Sequence, residues 1–176
     1  MEFKKYDHSI QEKKIYNFWE KNDAFKPVPT KSKKKVFSIV IPPPNITGRL
    51  HMGHALNNTL QDLLVRFYRM KGYETLWQPG TDHAGIATQA IVEKNLAKEN
   101  ISKNDIGREK FIEKVWEWKA ESGGLILEQL KKLGCSCDWS RSRFTMDEQM
   151  SKAVTKVFVA LFDKKLIYKD KKLINW

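Results

Sequence analysis

Apolar residues recur along this chain at spacings of three and four in several long stretches, with short β-branched runs between them. That pattern predicts helices alternating with a few strands. Ser9-Ile-Gln-Glu12 has capping-box spacing and opens an expected helix over 10–22, with Ile15, Phe18 and Trp19 turned to the body of the domain. From about Met52, Leu56, Leu60, Leu63, Leu64 and Phe67 mark one face of a second helix, which Arg69-Met-Lys71 and Gly72 end with a basic last turn and a left-handed cap. Residues 84–100 continue in helical register. Ser102-Lys-Asn-Asp105 then caps a longer helical region running to Leu133 and closed by Gly134. Gly123-Gly124 should bend or break it, since each interior glycine costs about 1 kcal/mol against alanine. Trp116 and Trp118, two positions apart, cannot share a helix face, so one packs inward. Thr145-Met-Asp-Glu148 repeats the capping spacing ahead of Val154, Val157, Phe158, Leu161 and Phe162, an amphipathic face expected to meet the core.

Residues 36–41 (VFSIVI) are apolar enough for a buried strand, and Pro42, Pro43 and Pro44 stop it by removing backbone donors and fixing φ. Residues 73–77 form a second candidate strand. A helix separates it from the first, so a right-handed crossover makes the pair parallel. Leu166-Ile-Tyr168 and Leu173-Ile-Asn-Trp176, around Lys169 to Lys172, suggest a terminal β-hairpin that needs further chain to complete a sheet. The fold class expected is α/β, a Rossmann-like parallel nucleotide-binding domain.

Candidate chemistry collects where the two strands end. Asn45, Thr47 and Gly48 turn the chain into a helix whose first residues include His51, Met52, Gly53 and His54. In open α/β sheets ligands sit beyond the carboxyl ends of the strands, where a helix N-terminus favours phosphate. His51 and His54, three apart, lie on one side of that helix, and Gly53 lets a bulky ligand approach the backbone. The second exit, Gln78-Pro-Gly-Thr-Asp-His-Ala-Gly85, carries Asp82 and His83 towards the same crevice. Asp82 could meet a cationic group such as a substrate amine, or it could cap the helix from Ala84; spacing alone leaves both open. No metal set is expected, because the remaining histidines are His8 and His83 and no H-E-x-x-H arrangement occurs.

Composition narrows the class. The 176 residues are 41% hydrophobic and 30% charged, suited to a globular domain with a core, and neither a membrane-length apolar run nor a signal-peptide segment is present. A cytoplasmic location is expected. Cys135 and Cys137, one residue apart, are too close for a comfortable disulfide and are expected as reduced thiols. The net charge of +11 favours a polyanionic partner, although only Lys31 to Lys35 is a tight basic block.

Several of these stretches carry a resemblance. His51-Met52-Gly53-His54 is similar to the HIGH signature of class I aminoacyl-tRNA synthetases. Pro42-Pro-Pro-Asn-Ile-Thr-Gly-Arg-Leu-His-Met-Gly-His54, Gly80-Thr-Asp-His-Ala-Gly-Ile-Ala-Thr-Gln89, Trp116-Glu-Trp-Lys-Ala-Glu-Ser-Gly-Gly124 and Arg143-Phe-Thr-Met-Asp-Glu148 resemble the valyl branch of that family. The resemblance spans nearly the whole chain. It implies ATP-dependent activation of valine to valyl-adenylate, with Mg2+ accompanying ATP, and transfer to tRNA(Val). It implies ATP contacts from His51, Met52, Gly53, His54 and Asn45, with His51 and His54 catalytic, and valine contacts from Pro42, Pro43, Asn45 and Asp82. It also divides the chain into an N-terminal helix and basic connector (1–35), the first half of the catalytic domain (36–134) and a segment leading towards an inserted editing domain (135–176). The second ATP signature, of the Lys-Met-Ser-Lys-Ser type, and an anticodon-binding domain are not in the sequence, so the remainder of a synthetase would have to join it in cis or in trans. Little activity is expected of the chain alone. Two other classes stay open: a nucleotidylyltransferase of the H-x-G-H kind, and a non-catalytic tRNA-binding paralogue.

Overall fold

The computed structural model describes residues 6–28 and 34–174. Lys31 and Lys33 of the basic block, and the last two residues of the second expected hairpin strand, lie outside the described residues. The elements in chain order are α1 (His8–Lys21), β1 (Val36–Val40), α2 (Met52–Met70), β2 (Glu74–Gln78), β3 (Gly80–Thr81), α3 (Gly85–Lys98), α4 (Lys103–Lys132), a single 3-10 turn (Trp139–Arg141), β4 (Arg143–Phe144) and α5 (Glu148–Asp163).

β1 and β2 pair in parallel from Val36↔Glu74 to Val40↔Gln78, as the crossover through α2 requires. The chain of β2 continues almost directly into β3, which pairs in parallel with β4 on its other side. Residues 74–82 thus form the middle of a narrow parallel strip. Its core is Ile41, Ile46, Val65, Trp77, Ile126, Leu130, Cys135, Cys137 and Phe144. Fully buried Trp77 remains satisfied because its indole N–H donates to Gln61 Oε1 at 3.1 Å. Against this strip lie α2 and α4, and α3 packs on α4 through Val92, Leu96 and Phe111. No helix among the described residues is long and apolar enough to cross a membrane.

Several sequence-based expectations need correction. Asp7, not Ser9, caps α1, taking the Ser9 N–H at 3.0 Å and its hydroxyl at 2.6 Å. Tyr16 rather than Ile15 or Phe18 faces inward, because its hydroxyl donates to Cys135 O at 2.6 Å and accepts the Trp139 N–H at 2.7 Å. Trp19 does turn inward, into an aromatic cluster with Tyr16 and Phe25. β1 is half exposed, since its outer positions Val36 and Val40 have no layer above them among the described residues.

α4 runs straight through Gly123-Gly124, whose helical conformation costs little where packing fixes it, and departs from helical geometry at Gly107 instead (φ 76°). Asp147 caps α5 through the Met150 N–H at 2.8 Å, which releases Thr145 for another role. The terminal hairpin does not form among the described residues: Leu166, Tyr168, Leu173 and Ile174 are exposed coil, and a lone two-stranded hairpin with nothing packed on it is marginal in water. The apolar faces of α2 and α5 are likewise open. Leu60 and Leu63 are 57% and 62% exposed and Phe158 and Phe162 are 62% and 63% exposed, so these stripes do not meet this core.

Candidate functional site

The loop after β1 and the loop after β2 and β3 meet directly. Asn45 and Asp82 form an isolated parallel bridge, closed by Asp82 N–H to Pro44 O at 2.8 Å and Ile46 N–H to Asp82 O at 3.0 Å. Residues 41–44 therefore lie opposite 79–81 between the pairs Val40↔Gln78 and Asn45↔Asp82, giving the proline side one extra residue. Such a surplus bulges the strand at its carboxyl end. Pro42 and Pro43 are exposed on that bulge while Pro44 is buried beneath it. Asn45 is exposed beside the half-buried Asp82.

One stripe of α4 holds the loop in place. Trp118 donates its indole N–H to Ile46 O at 2.7 Å, Ser122 donates its hydroxyl to the same oxygen at 3.1 Å, and Gln129 Oε1 accepts the Leu50 N–H at 3.0 Å. Residues 118, 122 and 129 fall on one helix face at spacings of four and seven. Gly123 lies under Ile46, where an added Cβ would stand 3.9 Å from its Cγ2. The Trp116 to Gly124 stretch is thus the seat of the loop between Asn45 and His51. Trp116 itself is outside that seat, edge-on to Phe144 with ring centroids 5.6 Å apart.

At the far end of the loop the two histidines close a capping box on α2. His51 Nδ1 accepts the Gly53 N–H at 3.1 Å, and His54 Nδ1 accepts the His51 N–H at 3.3 Å. Their rings lie 3.9 Å apart between centroids. An imidazole nitrogen that accepts carries no proton, so both rings are fixed as the Nε2–H tautomer, and each presents one N–H donor away from the helix. Burial, and then the neighbouring His51, push the His54 pKa down, which keeps it neutral. The N–H groups of Gly53, His54 and Ala55 are all engaged with His51. The donors left at this helix start are therefore the imidazole Nε2–H groups more than the first-turn backbone. Gly53 is required by proximity: a Cβ there would stand 2.9 Å from His51 Cε1. Met52 is exposed at the helix start.

Asp82 does not cap α3. The α3 N-cap is Ala84, in the left-handed region (φ 52°) with no side-chain cap bond. Asp82 Oδ1 instead accepts the Ala84 N–H at 3.1 Å and the Thr145 hydroxyl at 3.0 Å. Among the described residues its Oδ2 has no hydrogen-bond partner. Thr145, Trp118 and Ser122 shape the site without standing among the candidates read from the sequence. The only signal for them was the stretches in which they sit, since nothing in spacing says which carbonyl or carboxylate a side chain will reach.

Cys135 and Cys137 are free and buried. Burial pushes the Cys135 thiol up to about 12 and raises Cys137 as well, so neither is a ready nucleophile or ligand. Among the described residues no cluster of three or more His, Cys, Asp or Glu side chains is placed to hold a metal ion.

Residues 14–176 match the family model described as tRNA synthetases class I (I, L, M and V). The valine–tRNA ligase of Pelagibacter ubique is 73% identical over 172 residues, covering 98% of this chain and 19% of that protein. The valine–tRNA ligase of Geobacter sulfurreducens is 62% identical over 173 residues, again 98% of this chain and 19% of the relative. The chain spans about a fifth of the length of the curated relatives it matches. A LeuRS of Agrobacterium radiobacter K84, crystallised as a ternary complex with tRNA and LeuAMS, shares the fold with a TM-score of 0.74 at 24% identity, over 94% of this chain and 19% of that one.

Proposed function

The chain belongs to the class I tRNA synthetases of the isoleucine, leucine, methionine and valine group, and on that premise we propose that it forms one half of a valine-activating crevice. The bridge between Asn45 and Asp82 carries this reading, because it sets the two strand-end loops side by side at the edge where an α/β sheet binds its ligand. The reaction is attack of a valine carboxylate oxygen on the α-phosphorus of ATP. The P–O bond to pyrophosphate breaks, leaving valyl-adenylate, and a terminal ribose hydroxyl of tRNA(Val) then takes the valyl group, releasing AMP.

In this proposal Asp82 Oδ2 accepts the valine ammonium, a charge-assisted contact that also neutralises the carboxylate. Pro42, Pro43 and Asn45 border the valine side. The Nε2–H groups of His51 and His54 donate to ATP phosphate oxygens as negative charge shifts onto the departing pyrophosphate, with Met52 and Gly53 alongside the nucleotide. Neutral donors suit that task, since they need no proton change during the step. ATP arrives as its Mg2+ complex. The remainder of a synthetase, in cis or in trans, completes the phosphate clamp, and translation in the cytoplasm is the setting. The division at 35 and 134 belongs to this proposal too; β4, beyond the second boundary, pairs with β3 and supplies Thr145 to the site.

Valine-dependent ATP–pyrophosphate exchange tests it. The chain is assayed alone and mixed with the Pelagibacter ubique enzyme lacking its matching fifth. Exchange is expected in the mixture and close to background in either part. Exchange that depends on another amino acid, or none from an assembled mixture, would overturn the proposal.

A further inference from the structure

Thr145 directly follows β4, and its hydroxyl is used completely. The backbone N–H of His83 donates to Thr145 Oγ1 at 2.9 Å, His83 Nδ1 is 2.6 Å from it, and Asp82 Oδ1 is 3.0 Å from it. A threonine hydroxyl has one proton and two lone pairs, whereas an ionised carboxylate only accepts. The single proton therefore goes to Asp82 Oδ1. The two lone pairs take the His83 backbone N–H and, from the ring, an Nδ1–H. His83 is thereby fixed as the Nδ1–H tautomer, opposite to that of His51 and His54, with Nε2 left as an acceptor.

Asp82 is held from two further sides. Its Oδ1 takes the Ala84 N–H, and its backbone is pinned by the bridge to Asn45. Thr145 is itself fixed by its N–H to Thr81 O at 3.1 Å, next to the close approach of Gly80 and Arg143. All the restraint falls on one carboxylate oxygen, and the other is free.

We propose that Thr145 is a positioning residue for the amino-acid substrate: its hydroxyl locks Asp82 by Oδ1 and His83 by Nδ1, leaving Asp82 Oδ2 and His83 Nε2 as the acceptors this corner offers to an ammonium group. An ammonium has three N–H donors and no acceptor, so these two acceptors suit it, whereas a carboxylate, which only accepts, finds no donor in them. The inference rests on the reading of Asp82 as the amine anchor. It adds that a carboxylate free to rotate would bind the same amine more weakly, because ordering it would then be charged against binding.

The test uses a chimera in which this chain replaces the matching fifth of the Pelagibacter ubique valine–tRNA ligase, assayed by valine-dependent exchange. Thr145→Val keeps the branched shape and removes the hydroxyl; Thr145→Ser keeps the hydroxyl. Thr145→Val should raise KM for valine about tenfold, the order of one lost hydrogen bond to a charged group, with KM for ATP and kcat within about twofold. Thr145→Ser should return KM for valine to within about twofold of the unsubstituted chimera. An unchanged KM for valine in Thr145→Val, beside a raised one in Asp82→Asn, overturns the positioning role while leaving the anchor in place. An unchanged KM for valine in Asp82→Asn overturns the anchor itself. Independently of turnover, 15N-histidine spectra of the 176-residue chain should show His83 as the Nδ1–H tautomer, lost in Thr145→Val and kept in Thr145→Ser. An Nε2–H tautomer in the unsubstituted chain overturns the proposal.

Discussion

Two donors from α4, the Trp118 indole and the Ser122 hydroxyl, converge on the one carbonyl oxygen of Ile46 at 2.7 and 3.1 Å, and Ile46 is fully buried. That geometry makes a quantitative prediction, because a carbonyl that loses one of two donors stays paired, while one that loses both is orphaned without water. Ser122→Ala removes a hydrogen bond worth about 1 kcal/mol, offset by about 0.5 kcal/mol of better helix propensity. Trp118→Phe removes a similar bond and part of a ring, about 2 kcal/mol together. The double variant adds the cost of an unpaired buried carbonyl, about 1–3 kcal/mol, which neither single variant incurs. Its destabilisation should therefore exceed the sum of the singles by at least about 1 kcal/mol. Urea unfolding followed by far-UV circular dichroism measures this. With a slope of about 2 kcal/mol per molar, the excess is a further drop in midpoint of roughly 0.5 M. Additivity within about 0.5 kcal/mol would refute the view that the two side chains jointly satisfy the loop carbonyl.

Gly53→Ala places a methyl group 2.9 Å from His51 Cε1, so the ring must swing out of its cap; the cap loss of about 1 kcal/mol is offset by a similar gain in helix propensity, so the urea midpoint should change little while the Nε2–H signature of His51 is lost in 15N spectra, and a retained signature would refute the clash. Because the His54 pKa is lowered on folding, the unfolded chain binds the proton more tightly, and stability should fall as pH drops from about 6.5 through the lower folded value. Unfolding midpoints across that range check the sign, and His54→Gln should flatten the profile. Tyr16→Phe leaves the Trp139 N–H without its 2.7 Å acceptor and Cys135 O without its 2.6 Å donor, so a loss of about 1–3 kcal/mol is expected in the same unfolding assay; a change below about 0.5 kcal/mol would show that the phenol does not tie α1 to the core.

The open faces of α2 and α5 show where periodicity stops being informative. Leu60, Leu63, Phe158 and Phe162 were legible as stripes that favour burial, and their helices form as expected, yet no described residue covers them. Periodicity reports that a face is apolar, not what lies against it. The Gly123-Gly124 pair shows the converse. Propensity marked it as a break, and close packing under Ile46 kept it helical.

By itself the sequence determined the parallel strand–loop–helix unit, the helix ends at Met52, Ser102 and Gly134, and the stretches in which the candidate chemistry lies. These depend on proline, glycine, capping residues and apolar spacing, all of which act within a few residues of chain. Only the tertiary structure decided that Asp82 bridges Asn45 instead of capping α3, that Thr145 reaches across 62 positions of chain to His83, and which nitrogen of His51 and of His54 carries its proton. A hydrogen bond depends on separation in space and on each group's count of donors and acceptors. That separation exists only once α4 and β4 have brought distant segments against the two strand-end loops.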